Sequence, residues 1–431
     1  MAAPRPVLPA AVRALNAVGR ASARLGLELV ALDPDALERR AALRAGVESD
    51  VPPMFREGLR ELVRALESEA RLSLLGRISA RTQILRLLEN RARLAADRAR
   101  FPEIAREPIA RPLFVVGLPR TGTTLLHALL AQDPATRTPL AWEAREPSPP
   151  PERESFERDA RIAPCARELE GLYRMLPEFR AIHPMEAQWP QECVAITAHA
   201  FLSLQFSTTW RIPSYTAWLD RQDHSAAYAL HRRVLQHLQW RNPRDRWVLK
   251  TPGHLWTLET LFATYPDAGV IHTHRDPVRV LASLGSLATI LRKVASDAFD
   301  PAGIGREWGP ELALGLTRAS AFRTREPALA DRFVDVQFGE LMRDPLEVVQ
   351  RIYANFGLAL GDEARARMQR FLADNPREKH GVHRYRLEDF GLDEAAERRR
   401  FSAYSEAFAV PREAADEGSG SPAEPRAHSD K

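Results

Sequence analysis

Between residues 12 and 100, apolar side chains recur at three- and four-residue spacing, as at Ile78, Ile84, Leu85, Leu87 and Leu88, with no run of β-branched residues. That is the period of helices that bury one face, so an all-helical N-terminal region is predicted. Asp33-Pro34, Pro52-Pro53 and Phe101-Pro102 mark breaks between its helices. At Pro112 the period changes. A continuous apolar run, Leu113-Phe114-Val115-Val116, leads into a loop at 117–124 and then an apolar stretch at 125–130, which reads as strand, tight loop and helix. Two more strands are predicted at Trp247-Val248-Leu249, entering Lys250, and at Gly269-Val270-Ile271-His272-Thr273, entering His274-Arg275; a fourth is predicted at 332–336. Each of the three main strands is followed by a helix-like segment. This alternation predicts an α/β fold, a parallel sheet covered by helices.

The division that follows is a helical N-terminal region at 1–105, a main domain at 106–411 and a tail at 412–431. The tail is rich in Gly, Ser, Pro and charge, has almost nothing to bury, and is expected to be disordered. Within the main domain, 146–154 reads as a proline-rich loop and 165–241 as mostly helical insertions.

With 431 residues, 45% of them hydrophobic, the chain can bury one large α/β core plus an accessory part. A net charge of +4 does not imply a nucleic-acid surface, although local cationic pockets remain open. Two cysteines, Cys165 and Cys193, make neither a disulfide framework nor a zinc site, so a reducing, cytoplasmic compartment is expected. No run approaches the roughly 20 apolar residues of a membrane span. The start carries Arg5, Arg13, Arg20 and Arg24; it reads as a surface helix of the accessory part, with a transit peptide or an interfacial helix in peripheral membrane contact as the alternatives. The sequence sets no oligomeric state. Lysine stands only at positions 250, 293, 379 and 431, so a lysine at a strand end is informative.

Gly117 and Gly122, five apart and followed by Thr123 and Thr124, have the frame of a P-loop. Such a turn aims backbone N–H groups and the positive end of a helix at one spot, where a phosphate or sulfate binds. The P-loop lysine is absent, because Thr123 stands in its place. A P-loop-type kinase or nucleotide-binding protein is thus the alternative enzyme-like reading, with the missing lysine against it; a non-catalytic scaffold that kept the cradle is the alternative from another class.

Pro119-Arg120-Thr121-Gly122-Thr123-Thr124, followed by Leu125-Leu126, resembles the 5′-phosphosulfate loop of sulfotransferases that use 3′-phosphoadenosine-5′-phosphosulfate (PAPS), whose sheet is related to that of P-loop kinases. Arg275-Asp276-Pro277 with Ser283 resembles the family's 3′-phosphate motif. The segment 336–345 resembles the adenine-contacting segment, with Phe338 in place of the usual tyrosine. Lys379-His380-Gly381, with His383 and Tyr385, resembles the basic loop that closes over the donor's 3′-phosphate. The resemblance runs over about 112–392. It implies a P-loop-like sulfotransferase fold, PAPS as co-substrate and a small-molecule acceptor with a hydroxyl or amine, lipid-like or aromatic. It also implies a donor site of Arg120, Thr121, Gly122, Thr123, Thr124, Arg275, Ser283, Phe338, Lys379, His380 and Gly381.

Sulfonate transfer asks for in-line placement and cations at the leaving oxygen, roles the resemblance gives to Arg120 and to the strand-end Lys250. The acceptor also needs a base. Trp142-Glu143 sits where the tyrosylprotein branch has its glutamate, and His254 sits where the cytosolic branch has its histidine, so both are candidates. Glu186 and Glu192, around Trp189-Pro190, are within possible reach of the acceptor. Trp142, Trp189, Phe201, Phe206, Trp210 and Trp218 suggest an aromatic-lined pocket, with buried core as the other explanation. No residue cluster has metal-site spacing, and no metal is expected.

Overall fold

The computed structural model describes residues 8–47, 51–296, 298, 300–376 and 387–413. Four helices come first: α1 (Ala10–Arg24), α2 (Pro34–Ala45), α3 (Pro53–Ser68) and α4 (Leu74–Arg100). Pro34 and Pro53 begin α2 and α3, since proline's fixed φ suits the first helical turn and its missing N–H is not needed there, and Pro102 follows the end of α4. Asp33 caps α2 by accepting from the Ala36 N–H at 2.6 Å, and Ser73 caps α4 through the Gly76 N–H at 3.1 Å.

Five strands form one parallel sheet: β1 (Leu113–Gly117), β2 (Thr136–Arg137), β3 (Arg246–Lys250), β4 (Gly269–His274) and β5 (Phe333–Gln337), in the order β2-β3-β1-β4-β5. In register, Leu113 lies beside Val248 on one side and Gly269 on the other. The central strand β1 is buried throughout, which is why it reads as an unbroken apolar run. Alternate residues serve opposite faces. Phe114, Val116, Leu249 and Val270 pack with Leu261, Leu281, Leu284 and Leu312 of the helices on one side. Leu113, Val115, Val248, Ile271 and Val334 pack on the other with Leu126, Leu129, Val349 and Ile352, from α5 (Thr123–Leu130) and the helix Pro345–Asn355. Two-residue β2 was not foreseen, being too short to carry a period.

The N-terminal helices are not cored by themselves. Phe55, Leu59, Leu62, Leu66, Ile84 and Leu88 share one cluster with Phe201, Phe206, Trp210, Tyr215 and Trp218. Most of the aromatics that suggested a pocket wall are therefore core, and Trp142, fully buried, belongs to another small cluster with Cys165. No described helix is long and apolar enough to cross a membrane. The expected tail lies, from residue 414 on, outside the described residues.

Candidate active site

Strand β1 delivers the loop at the centre of the sheet. Gly117 has φ +147°, and a Cβ there would lie 2.2 Å from the Thr273 hydroxyl, so β1 and β4 meet more closely than any side chain at 117 allows. Arg120 has φ +70°, an unfavourable left-handed conformation for a residue with a Cβ, and strain of this kind concentrates at ligand-binding turns. Gly122 (φ +88°) then opens α5. The three expected threonines part company. Thr121 is buried; its hydroxyl donates to the Leu118 carbonyl at 2.7 Å and lies 2.6 Å from that of Thr273, so it braces the loop from beneath. Thr123 is also buried, while Thr124 is exposed on the first turn of α5.

One strand over, β3 ends at Lys250. Its Nζ reaches Thr124 Oγ1 at 3.3 Å and forms a short ion pair with Glu192, whose other oxygen accepts from the Thr251 hydroxyl at 3.4 Å. Glu192 stands at the N-cap of the short helix Cys193–Thr197. Burial works to raise its pKa, but the adjacent Lys250 ammonium, with a contribution from His183, outweighs it and holds the carboxyl below its ordinary value. His183 is itself pushed down to about 4, chiefly by burial, with Lys250 and Arg120 also disfavouring its charge. The carboxylate is therefore the ionised acceptor of this corner.

On the far side of β1, the end of β4 gathers the second group. Arg275 lies over the Phe338 ring at 3.9 Å and donates Nη1 to the Arg120 carbonyl at 2.9 Å; Arg120 Nε donates to Ser283 Oγ at 3.1 Å. Asp276 caps the helix Pro277–Ala295 that carries Ser283, accepting from the Val278 N–H at 3.0 Å. Arg120, Arg275, Ser283 and Phe338 thus meet, with Gly122 beside Phe338. Lys379, His380 and Gly381, with His383 and Tyr385, lie outside the described residues.

Of the two expected bases, Glu143 is sealed in the interior, and His254 lines a cavity together with Thr251, the residue that bonds Glu192. Glu143 has no exposed surface: both oxygens take the Arg137 guanidinium, at 2.9 and 2.5 Å, and one also accepts the Leu140 N–H at 3.0 Å. Arg137 is sandwiched between the Phe156 and Trp247 rings, 4.9 and 5.0 Å away. Glu143 belongs to a structural ion pair with Arg137, and the geometry does not support it as a base. His254 is buried too, with Nδ1 2.6 Å from the Tyr228 hydroxyl and its ring edge-on to Phe114, and burial lowers its pKa well below the usual value. Neither side chain comes to Lys250. Glu192 does, and its only sequence signal was a place just after Trp189-Pro190.

Both thiols are buried, and burial raises that of Cys193 to about 12, which leaves it a small core residue. His272, His274 and Asp335 form the metal-like cluster found among the described residues, but Arg323 forks onto both Asp335 oxygens at 2.6 and 2.8 Å, and a cation would have to displace it.

A central strand running into a strained, lysine-free anion loop, with cationic groups at the ends of both neighbouring strands, defines an α/β protein of the P-loop-related class. Residues 112–362 match the model of the sulfotransferase family, and the chain belongs to that family. It is 27% identical over 278 residues, 61% of this chain and 67% of the relative, to the omega-hydroxy-beta-dihydromenaquinone-9 sulfotransferase Stf3 of Mycobacterium bovis, and equally to that of Mycobacterium tuberculosis. Among solved structures it resembles sulfotransferase STF1 from Mycobacterium tuberculosis, with 35% identity, a TM-score of 0.76 and coverage of 86% of this chain and 98% of that one. It also resembles sulfotransferase STF9 from Mycobacterium avium, with 31% identity, a TM-score of 0.81 and coverage of 88% and 97%. The protein is a sulfotransferase with the P-loop-like fold of these relatives.

Proposed function

We propose that this enzyme transfers a sulfonate group from PAPS to the hydroxyl of a small lipid-like acceptor, with Glu192 as the base. The donor's 5′-phosphosulfate lies in the 117–124 loop, against the backbone N–H groups at the start of α5, Arg120 and the Thr124 hydroxyl. Its 3′-phosphate goes to Arg275 and Ser283, and Phe338 flanks the adenine. Several features support this fit: glycines where a Cβ would close the loop, a lysine at its mouth and a forked guanidinium one strand away. The donor is what the family implies. The acceptor class follows the Stf3 relative, which acts on an omega-hydroxy compound.

The observation that carries the reading is Lys250 spanning Glu192 and Thr124. Glu192 accepts the acceptor's proton, the acceptor oxygen forms a bond to sulfur, and the bond between sulfur and the bridging phosphate oxygen breaks, releasing adenosine 3′,5′-bisphosphate. As charge grows on the departing oxygen, the Lys250 ammonium is drawn toward it and away from Glu192, which makes the carboxylate more basic as the proton arrives.

The test is transfer from isotope-labelled PAPS to hydroxylated lipid acceptors. Glu192→Gln should lower kcat by roughly 10²–10⁴ with donor affinity kept, since the amide preserves shape and removes proton acceptance. Because the folded Glu192 pKa lies below its ordinary 4.5, the acid limb of wild-type kcat/KM should fall below that pH. Glu192→Gln at full rate would overturn the assignment.

A further inference from the structure

The Arg275 guanidinium is the group that the proposed function gives to the donor's 3′-phosphate, and it already holds an anion. Its Nε and Nη2 fork onto the two carboxylate oxygens of Glu413, each at 2.7 Å. These are the parallel donors with which an arginine takes a phosphate. Glu413 lies in the first residues of the tail expected to be disordered, yet 412 and 413 are ordered, and Glu413 is delivered by a chain of contacts. The helix Ser402–Ala407 docks on β4 through Tyr404, whose hydroxyl is 2.7 Å from His274 Nδ1. Phe408 stacks on the His274 ring at 4.6 Å, and its carbonyl accepts from Gln337 Nε2 at 2.9 Å. The Glu413 N–H then donates to Asp276 Oδ2 at 3.0 Å, an oxygen also approached by Arg398 Nη1 at 3.4 Å. The backbone of Glu413 is thus fixed beside the helix start that carries Ser283, while its side chain keeps about a third of its surface in water (32%).

We propose that Glu413 is an internal occupant of the 3′-phosphate subsite, an anionic stand-in that donor and bisphosphate product must both displace. The proposal rests on the reading of Arg275 as a 3′-phosphate ligand. The carboxylate carries one negative charge where a phosphate monoester carries nearly two, so the ligand wins at sufficient concentration. Its net affinity is lowered by the exchange. Glu413 therefore sets how tightly the donor is held and helps expel the product, which would otherwise keep the same two N–H donors as the substrate. AMP, lacking the 3′-phosphate, has no reason to compete with it.

Titration calorimetry of the full chain with adenosine 3′,5′-bisphosphate and with AMP tests this. Glu413→Gln should bind the bisphosphate roughly two- to fivefold more tightly, the range expected for losing a partly exposed competing ion pair, with AMP affinity unchanged. Glu413→Asp, one methylene shorter, should fall between wild type and Gln. If wild type prefers the bisphosphate over AMP but Glu413→Gln binds it equally or more weakly, Glu413 merely positions Arg275 and the proposal fails alone. If wild type shows no preference, the Arg275 assignment fails and takes this proposal with it.

Discussion

Glu143 and Glu192 each stand near a tryptophan in proline-rich sequence, and the fold gives them opposite surroundings. Glu143 is sealed against Arg137, whereas Glu192 keeps 17% of its side chain exposed at the mouth of the loop. Removing one partner of a buried ion pair strands the other, so Glu143→Gln should destabilise the protein by about 3–5 kcal/mol in urea denaturation, while the surviving folded fraction binds the donor as wild type does. A Glu143→Gln protein of normal stability and no transfer activity would reinstate that residue as the base. The sequence pointed to Glu143 because motif spacing is local information. Lys250 and Glu192 are 58 positions apart, and nothing in either neighbourhood announces their contact. Thr121 teaches the same limit: a hydroxyl in a phosphate loop reads as a ligand, and only the approach of Thr273 shows it turned inward.

At the scale of elements the sequence was more legible. Strands β1, β3 and β4 announced themselves through the short apolar runs at 113–116, 247–249 and 269–271, which burial on both faces favours. Prolines marked helix starts because their backbone geometry is fixed. What did not show was which elements share a core. Aromatics at 201–218 look like the wall of a substrate pocket until α3 and α4 are laid over them. It follows that the helical region at 1–105 is not a detachable accessory. A chain lacking it would expose Phe201, Phe206, Trp210 and Tyr215, and should be insoluble or melt without cooperativity in calorimetry. A soluble, cooperatively melting 106–431 fragment would show that this shared cluster is dispensable.

For the molecule as a whole, the distribution of exposed apolar residues is uneven. Among the described residues the large ones, Val18, Leu25, Leu27, Leu29, Leu43 and Ile78, lie in the N-terminal helical region, and α1 carries Arg13, Arg20 and Arg24 with no acid. The basic helix α1 and the exposed leucines that follow it suit an anionic bilayer, where the proposed lipid-like acceptor would reside. The protein should co-sediment with phosphatidylglycerol vesicles and much less with phosphatidylcholine, and Leu25→Ser with Leu27→Ser should abolish the difference. Equal sedimentation with both lipids, or with neither, would remove the membrane from the account.

The place of β1 at the middle of the sheet has a consequence in time. Its two hydrogen-bonding neighbours, β3 and β4, begin at Arg246 and Gly269, whereas β1 begins at Leu113. A ribosome adding about 5–20 residues per second needs on the order of ten seconds to cover that interval, during which Leu113-Phe114-Val115-Val116 has neither flank in place. The most apolar strand of the protein is thus the first made and the one that waits longest for its two flanks. Messages truncated anywhere between β2 and β3 should yield polypeptides that collect in inclusion bodies, and translation slowed in that window should lower the yield of active enzyme more than slowing after β4.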